Sequence, residues 1–383
     1  APIAPPLAMA VAWPAWIASS WIAGVATVLA DLPFASMPWP ADGAGAVIAI
    51  IGSGTVAWWA VRRDRGATIA GAAALCWAVV IVGVGAGAVV MDRSGRPAEW
   101  SIAQCDVGQG DAVVLRSAGA VALVDAGPDP QRLNACLDDL GIHHLDLMVL
   151  THFDLDHVGG VAAIIGRVDE VLIGPTDERA RSSVVEPLGA GGAIVRTVSV
   201  GERGMLGEAA WRVLWPPRTA TEPGNAASLV VRVQTDPTIV LLGDLGEVEQ
   251  QRMLGATPPG STDVVKVAHH GSADQSARLL TSIGASLALI GVGADNDYGH
   301  PTVPTLDLIA ETGASVVRSD LDGLALVAPS GEGGIAVWRQ RGGDASVPAA
   351  RLDPVGPGLL AAPATAHPTR ARHRDGGRHG RTS

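Results

Sequence analysis

A chain of 383 residues, with 48 glycines and 26 prolines, is too long for one ordinary domain. Its formal net charge of −11 excludes a protein that holds nucleic acid by bulk positive charge, so such a partner would have to be met by local groups or through a metal. Lys266 is the sole lysine, and the three cysteines, Cys76, Cys105 and Cys136, form no CxxC pair, so free thiols are expected, with a Cys105–Cys136 bridge as the alternative.

The chain begins at Ala1 without a signal peptide and reads as part of something longer. Three apolar runs follow, at about 7–30, 45–61 and 67–90. The first and third are long enough to span a bilayer, which takes about 20 apolar residues; the second is near the lower limit. Trp13, Trp16, Trp21, Trp39, Trp58, Trp59 and Trp77 crowd this region, several near the run ends, as in an aromatic belt. A buried helical hairpin is the alternative, but the runs have almost no polar face. Arg62-Arg63-Asp64-Arg65 is basic and should face the cytoplasm, whereas 31–44 carries Asp31 and Asp42 and no basic residue. Residues 1–95 are therefore expected to hold about three transmembrane helices in the cell membrane, with the chain after Met91 on the extracytoplasmic side; Arg93 and Arg96 pull against that orientation.

From about 98 short apolar strands alternate with Gly/Asp turns and amphipathic helices. Ile102–Val107, Ala112–Arg116 and Val121–Val124 read as strands, and Asp129–Leu140 as a helix stopped by Gly141. Leu145–Leu150 reads as a strand running into Thr151-His152-Phe153-Asp154-Leu155-Asp156-His157-Val158-Gly159-Gly160, with a helix over Val161–Ile165 behind it. Later strands are predicted at 228–235, 238–242, 263–268, 286–291, 315–318 and 324–328, and helices near 246–255, 274–283 and 302–312. The pattern is that of a layered α/β or α+β domain over 96–340.

The loop after Leu150 offers four potential ligands within six residues. His152 and Asp154 are two apart and can reach one cation; Asp156 and His157 point differently, toward a second. Imidazole nitrogen and carboxylate oxygen suit zinc, manganese or iron. The plainer alternative is a helix N-cap at Asp154 or Asp156, but a cap needs one such residue, not four. Other strands also end in Gly with Asp or His: Asp106-Val107-Gly108-Gln109-Gly110-Asp111, Asp125-Ala126-Gly127, Gly243-Asp244, His269-His270-Gly271-Ser272 and Tyr298-Gly299-His300-Pro301. Such loops, gathered at one edge of the sheets, would make a site on a rigid scaffold.

His-x-Asp-x-Asp-His followed by Gly-Gly resembles the metallo-β-lactamase superfamily motif, usually His-x-His-x-Asp-His. The ordered set of six motifs over about 100–325 more closely resembles the ComEC family of DNA-uptake channel proteins, and the apolar region before it resembles the end of that family's membrane channel. The resemblance implies an α+β fold, a metallo-β-lactamase-like αββα sandwich preceded by transmembrane helices. It implies metal ligation by His152 and Asp154, by Asp156 and His157, by Asp244 as bridge and by His300 as the closing histidine. Asp244 and Asp156 would take part in catalysis, with His269 and Lys266 as further catalytic and substrate-contacting groups. His269 and His270 could be ligands, proton donors or phosphate contacts, with substrate contact or a place behind the ligands favoured; Ser272 and Asn225 would contact substrate, and Asp106, Gln109, Asp111 and Asp125 would stand behind the ligands. A superfamily histidine is replaced here by the Asn225-Ala226-Ala227-Ser228 region, which tilts the donor set toward oxygen. One or two divalent ions are expected, manganese favoured, with zinc or magnesium as alternatives. The implied function is a metal-dependent nuclease that degrades one strand of incoming DNA during competence. Its implied partners are DNA, the lipid bilayer and other competence-channel components. The alternatives are a non-catalytic DNA-guiding module and a metallo-hydrolase for small phosphodiesters or lactones.

Residues 341–383 lose periodicity and end in Arg370, Arg372, Arg374, Arg378 and Arg381, with His367, His373 and His379 among them. A disordered basic tail is expected, either attracted to DNA or anionic lipid or simply solvated.

Overall fold

A computed structural model describes residues 95–341, the strand Ala345–Val347 and a few residues nearer the start. Apart from those few residues and from Arg341 and Ala345–Val347, the expected membrane runs and the basic tail lie outside the described residues. Among the described residues, no helix is long and apolar enough to cross a membrane.

In chain order the strands are β1 (Ile102–Gln104), β2 (Val113–Ser117), β3 (Ala120–Val124), β4 (Leu145–Leu150), β5 (Val168–Ile173), β6 (Ile194–Thr197), β7 (Arg203–Leu206), β8 (Ala209–Trp215), β9 (Val230–Val233), β10 (Ile239–Leu241), β11 (Val264–Lys266), β12 (Leu287–Ile290), β13 (Ser315–Arg318), β14 (Ala325–Ser330), β15 (Gly334–Arg339) and β16 (Ala345–Val347). The helices that matter here are α1 (Pro130–Asp139), α2 (Leu155–Val158), α3 (Glu247–Ala256), α4 (Ala277–Ile283) and α5 (Val303–Thr312). One sheet has nine strands, ordered β16-β15-β14-β1-β2-β3-β4-β5-β6; the other has seven, ordered β13-β12-β11-β10-β9-β8-β7. Strands β3 to β6 pair parallel, as do β10 to β13, so each sheet brings several carboxyl ends to one edge.

Side-chain alternation builds the layers. Val124, Leu147 and Val149 of the first sheet meet Ile239, Leu241, Val264 and Leu289 of the second in a shared core. On the first sheet's other face, Leu133 and Leu137 of α1 cover Leu123, Met148 and Leu150. On the second sheet's other face, Met253 of α3, Leu279 of α4 and Ile309 of α5 cover Val240, Val265 and Ala288. The result is helix, sheet, sheet, helix, the layering expected from the sequence.

Several details differ from expectation. Cys105 and Cys136 form a disulfide, not free thiols, tying the loop after β1 to α1 across 31 residues of sequence. The helix expected over Val161–Ile165 is instead α2 followed by a 3-10 turn, Gly159–Ala163. Gly159 and Gly160 press against the Pro128 and Ala126 carbonyls, where a Cβ would collide, so close approach rather than helix propensity shapes this stretch. The first sheet also continues past residue 340 to β16.

Candidate metal centre

Asp125 follows β3 and organises the loop after β4. Its backbone is left-handed, with φ of 61°, a region Asp tolerates better than most residues. One carboxylate oxygen accepts from Thr151 N at 2.8 Å. The other accepts from Thr151 Oγ1 at 2.8 Å and lies 2.8 Å from His157 Nδ1. A carboxylate on Nδ1 leaves Nε2 as the outward ligand atom. His157 Nε2 then stands 3.2 Å from Asp244 Oδ1 and 3.9 Å from Asp156 Oδ1.

Asp154 occupies the residue before α2, but its side chain makes no capping bond. Its Oδ2 lies 3.6 Å from His152 Nε2 instead, which argues against the helix-cap alternative. His152 Nε2 is also 3.8 Å from Asp244 Oδ2.

Asp244 arrives from the second sheet, at the end of β10. Gly243 before it has φ of 54°, and a Cβ there would lie 2.9 Å from Ser228 Cβ and 3.0 Å from Thr151 Cβ, so only glycine lets the two sheets close at this point. Ser228 Oγ accepts from Asp244 N at 3.2 Å. His269 and His270 follow β11, both left-handed, with φ of 50° and 51°. Non-glycine residues held in this region cost on the order of 1–3 kcal/mol each, a cost typically borne at functional sites. His270 Nδ1 lies 2.8 Å from the Gly291 carbonyl and 3.3 Å from Asp111 Oδ1. Its Nε2 lies 3.1 Å from Asp156 Oδ2 and 3.7 Å from Asp244 Oδ2.

Asp156, His157, Asp244 and His270 thus each offer a ligand atom, all within 4.8 Å of one another. Three buried atoms at the centre, His152 Nε2, His157 Nε2 and Asp244 Oδ1, have no hydrogen-bond partner. Buried polar atoms are rarely left so; a divalent cation held by the four would satisfy His157 Nε2 and Asp244 Oδ1, and His152 Nε2 would face a second. The nitrogen and carboxylate donors fit manganese, zinc or iron.

The electrostatics agree. Burial pushes the Asp244 carboxyl up, but His157 outweighs it and holds the group well below the ordinary carboxylate range. Burial pushes His157 down, but Asp244 and Asp125 raise it well above the ordinary imidazole value. For His270, Asp111 and Asp156 outweigh burial and raise it to about 9. Protons therefore fill the positive role between these carboxylates when no metal does.

The structure sorts the sequence-predicted residues. His152, Asp154, Asp156, His157 and Asp244 converge. His270, for which ligation was the less favoured reading, stands among the candidate ligands. His269 Nε2 is 3.7 Å from Asp244 Oδ2 and its side chain is partly exposed, open to a substrate. His300 lies one layer out, its ring centroid 5.7 Å from that of His269, and it is not among the four converging residues. Asp111 and Asp125 do stand behind His270 and His157. Lys266 is a correction: it is 2% exposed, with Nζ 2.6 Å from Asp111 Oδ2 and donating to the Val267 carbonyl at 2.9 Å. It is placed to brace the site from beneath rather than to meet a phosphate from solvent. Asp106 accepts from Gly108 N at 3.4 Å and pairs with Arg341, so it shapes a turn rather than backing a histidine. Gln109 accepts from Gly293 N at 3.2 Å, a loop-to-loop contact. Ser272 is buried and its Oγ accepts from Asp274 N at 3.4 Å, again a loop contact. Asn225 opens a short 3-10 turn, and among the described interactions its side chain does not join the cluster. Thr151, Ser228 and Gly291 were not read from the sequence; a Cβ on Gly291 would collide with the Asp111 carboxylate.

Residues 105–291 match the metallo-beta-lactamase superfamily model. The chain is 27% identical over 252 residues to ComE operon protein 3 of Bacillus subtilis, covering 59% of this chain and 32% of that one. It is 27% identical over 276 residues to competence protein ComA of Neisseria gonorrhoeae, covering 69% and 37%. To recombination protein 2 of Haemophilus influenzae it is 26% identical over 234 residues, covering 58% and 28%. The chain spans about a third of the length of these curated relatives. It carries a metallo-β-lactamase superfamily domain and is a homologue of the ComEC-family competence proteins.

Proposed function

We propose that this domain is a metal-dependent phosphodiesterase that cuts DNA, serving a membrane DNA-uptake protein by degrading one strand of the incoming duplex. The observation that carries the reading is the convergence of Asp156, His157, Asp244 and His270 with unpartnered buried donor atoms at the edge where the two sheets meet. These four residues would hold one ion, and His152 with Asp154 would extend the site toward a second. Bound there, a divalent metal supplies a nucleophilic hydroxide at neutral pH and Lewis acidity toward a phosphoryl oxygen. Asp125 and Asp111 orient His157 and His270 and fix which ring nitrogen faces inward. His269, partly exposed and close to Asp244, is placed to meet a phosphodiester or its leaving group.

Two observations support a location outside the cytoplasm. The Cys105–Cys136 disulfide suits an oxidising compartment. The basic connection Arg62-Arg63-Asp64-Arg65 suits a cytoplasmic loop with this domain on the other side. Relatives named as competence proteins support DNA as the substrate.

The test is a substrate panel: single- and double-stranded DNA, bis(p-nitrophenyl) phosphate and a homoserine lactone, each with manganese, magnesium or zinc. DNA should be cut in preference to the lactone. Lactone turnover without DNA cleavage would favour the small-substrate reading.

A further inference from the structure

Away from the metal centre, the outer face of β7, β8 and β9 bears a row of arginines. Arg203 pairs directly with Arg212 across the sheet, and Arg212 with Arg232. Strand alternation puts all three on the face opposite the inter-sheet core, to which Trp211, Val231 and Val233 turn. The core under α3, α4 and α5 reaches Leu214 and Trp215 of β8 and Val230 of β9 but includes none of the strand positions that carry the three arginines. The row instead lines a groove of about 480 Å³ with Met205, Ala210 and Gln234. Arg203 and Arg212 are exposed and Arg232 is half-buried.

Like charges directly opposite one another destabilise a sheet. Among the described residues none of the three forms an ion pair. Arg212 reaches the Pro258 carbonyl at 3.5 Å and Arg232 the Ser261 carbonyl at 3.3 Å. The Arg232 Nε is buried without a partner. Asp263 acts on Arg232 from a distance, but its Oδ2 already accepts from Thr238 N at 2.8 Å and Thr238 Oγ1 at 2.7 Å. A protein of net charge −11 thus carries three guanidiniums in a line, none of them in an ion pair among the described residues.

We propose that this row is a docking track for the sugar-phosphate backbone of single-stranded nucleic acid. Neighbouring strands lie about 4.8 Å apart, so the guanidiniums form a line of evenly spaced donors. A line suits a repeating anion, and Arg is the residue that best forks onto phosphate. The recessed groove takes a strand laid along it, with exposed Met205 available to sugar or base. Its place outside the metal centre makes it a site that holds the chain of a substrate rather than its scissile bond. The proposal rests on the reading that this protein handles DNA, but not on its cutting DNA.

The experiment is fluorescence anisotropy of labelled oligothymidine of twenty nucleotides, titrated with the full chain in EDTA at several potassium chloride concentrations. Each phosphate contact to a single strand contributes about 0.7 to the slope of log K against log salt. The R203Q/R212Q/R232Q variant should therefore lose about 2 from that slope, and R212Q alone about 0.7. The triple lysine variant should keep most of it. Removing like-charge contacts should leave the melting temperature unchanged or higher, which separates loss of binding from loss of folding. An unchanged slope in R212Q and the triple variant overturns the proposal. So does a slope change seen only with anionic phospholipid vesicles, which would make the row a membrane contact. Metal-dependent turnover of bis(p-nitrophenyl) phosphate by the variants, measured alongside, reports on the hydrolase separately. A chain that binds through the row but hydrolyses nothing leaves the track standing and removes only the nuclease reading.

Discussion

At the scale of single residues, the centre is built from pairs in which one group fixes the other. His157 faces inward because Asp125 holds its Nδ1, and Asp125 also receives Thr151 through both backbone and hydroxyl. Asp125→Asn should therefore lower metal affinity about 10- to 100-fold without touching a ligand, read by competition with a chromogenic chelator. The histidines also set a pH dependence. His270 is raised to about 9, so the stabilisation its proton gives the metal-free fold is full below the unfolded value near 6.5. That contribution is lost as pH rises through about 9. Metal affinity runs the other way, because a cation must displace the same protons. Binding at pH 7 should release protons, and affinity should climb with pH toward 9. Calorimetry in buffers of different ionisation enthalpy measures the release, and an enthalpy independent of buffer would contradict the assignment. Residue types and spacing alone marked the loop that supplies Asp156 and His157 to the converging group. The role of His270 was not, because it depends on a left-handed turn that aims adjacent histidines apart, one at the ligands and one toward the opening.

At the scale of elements, Lys266 shows what alternation can and cannot announce. It follows Val264 and Val265 at the end of β11, so its position predicts an inward side chain, but its chemistry argues for the surface. Asp111, from the loop between β1 and β2, resolves the conflict by crossing from the other sheet to meet it at 2.6 Å. Burial would raise the Asp111 carboxyl, yet Lys266 first and His270 second hold it below the ordinary range. Such a pairing joins residues 155 apart in sequence, and no local pattern reveals it. Removing one partner of a buried pair costs about 3–5 kcal/mol because the other charge is stranded. Lys266→Met should thus lower unfolding stability by that amount in urea, with the loss reduced when Asp111→Asn is added. A change in KM at unaltered stability would return Lys266 to the substrate. The Cys105–Cys136 disulfide spans a sequence separation of 31, for which loop-closure entropy gives roughly 3.7 kcal/mol, and Cys136→Ala should cost about that much. The bridge was the less favoured reading of the sequence, since spacing alone does not show that the loop after β1 lies on α1. Strands β5 to β8 also went unread. β6 and β7 lie at sheet ends and expose Ile194 and Met205, so their alternation is diluted.

At the scale of the whole molecule, the site exists because two sheets deliver their carboxyl ends to one edge. The first contributes the loop after β4, and the second contributes Asp244 and His270. Strands with helical punctuation and Gly-Asp or Gly-His endings made this architecture readable in outline. What remained unread was which loops share a layer. Asp106 and Gln109 sit in the same motif as Asp111, yet only Asp111 backs a histidine. The proposed function stands or falls with Asp156, His157, Asp244 and His270 as the metal centre of a DNA-cutting domain. The most direct measurement is cleavage of end-labelled DNA by the full chain with manganese, with EDTA, and in the His157→Ala and Asp244→Ala variants. Cleavage is expected with manganese and none in EDTA, with a loss of at least about 100-fold in either variant together with its bound metal. Cleavage that persists at the wild-type rate in both variants, or a metal-loaded wild-type chain that leaves DNA intact, would contradict it.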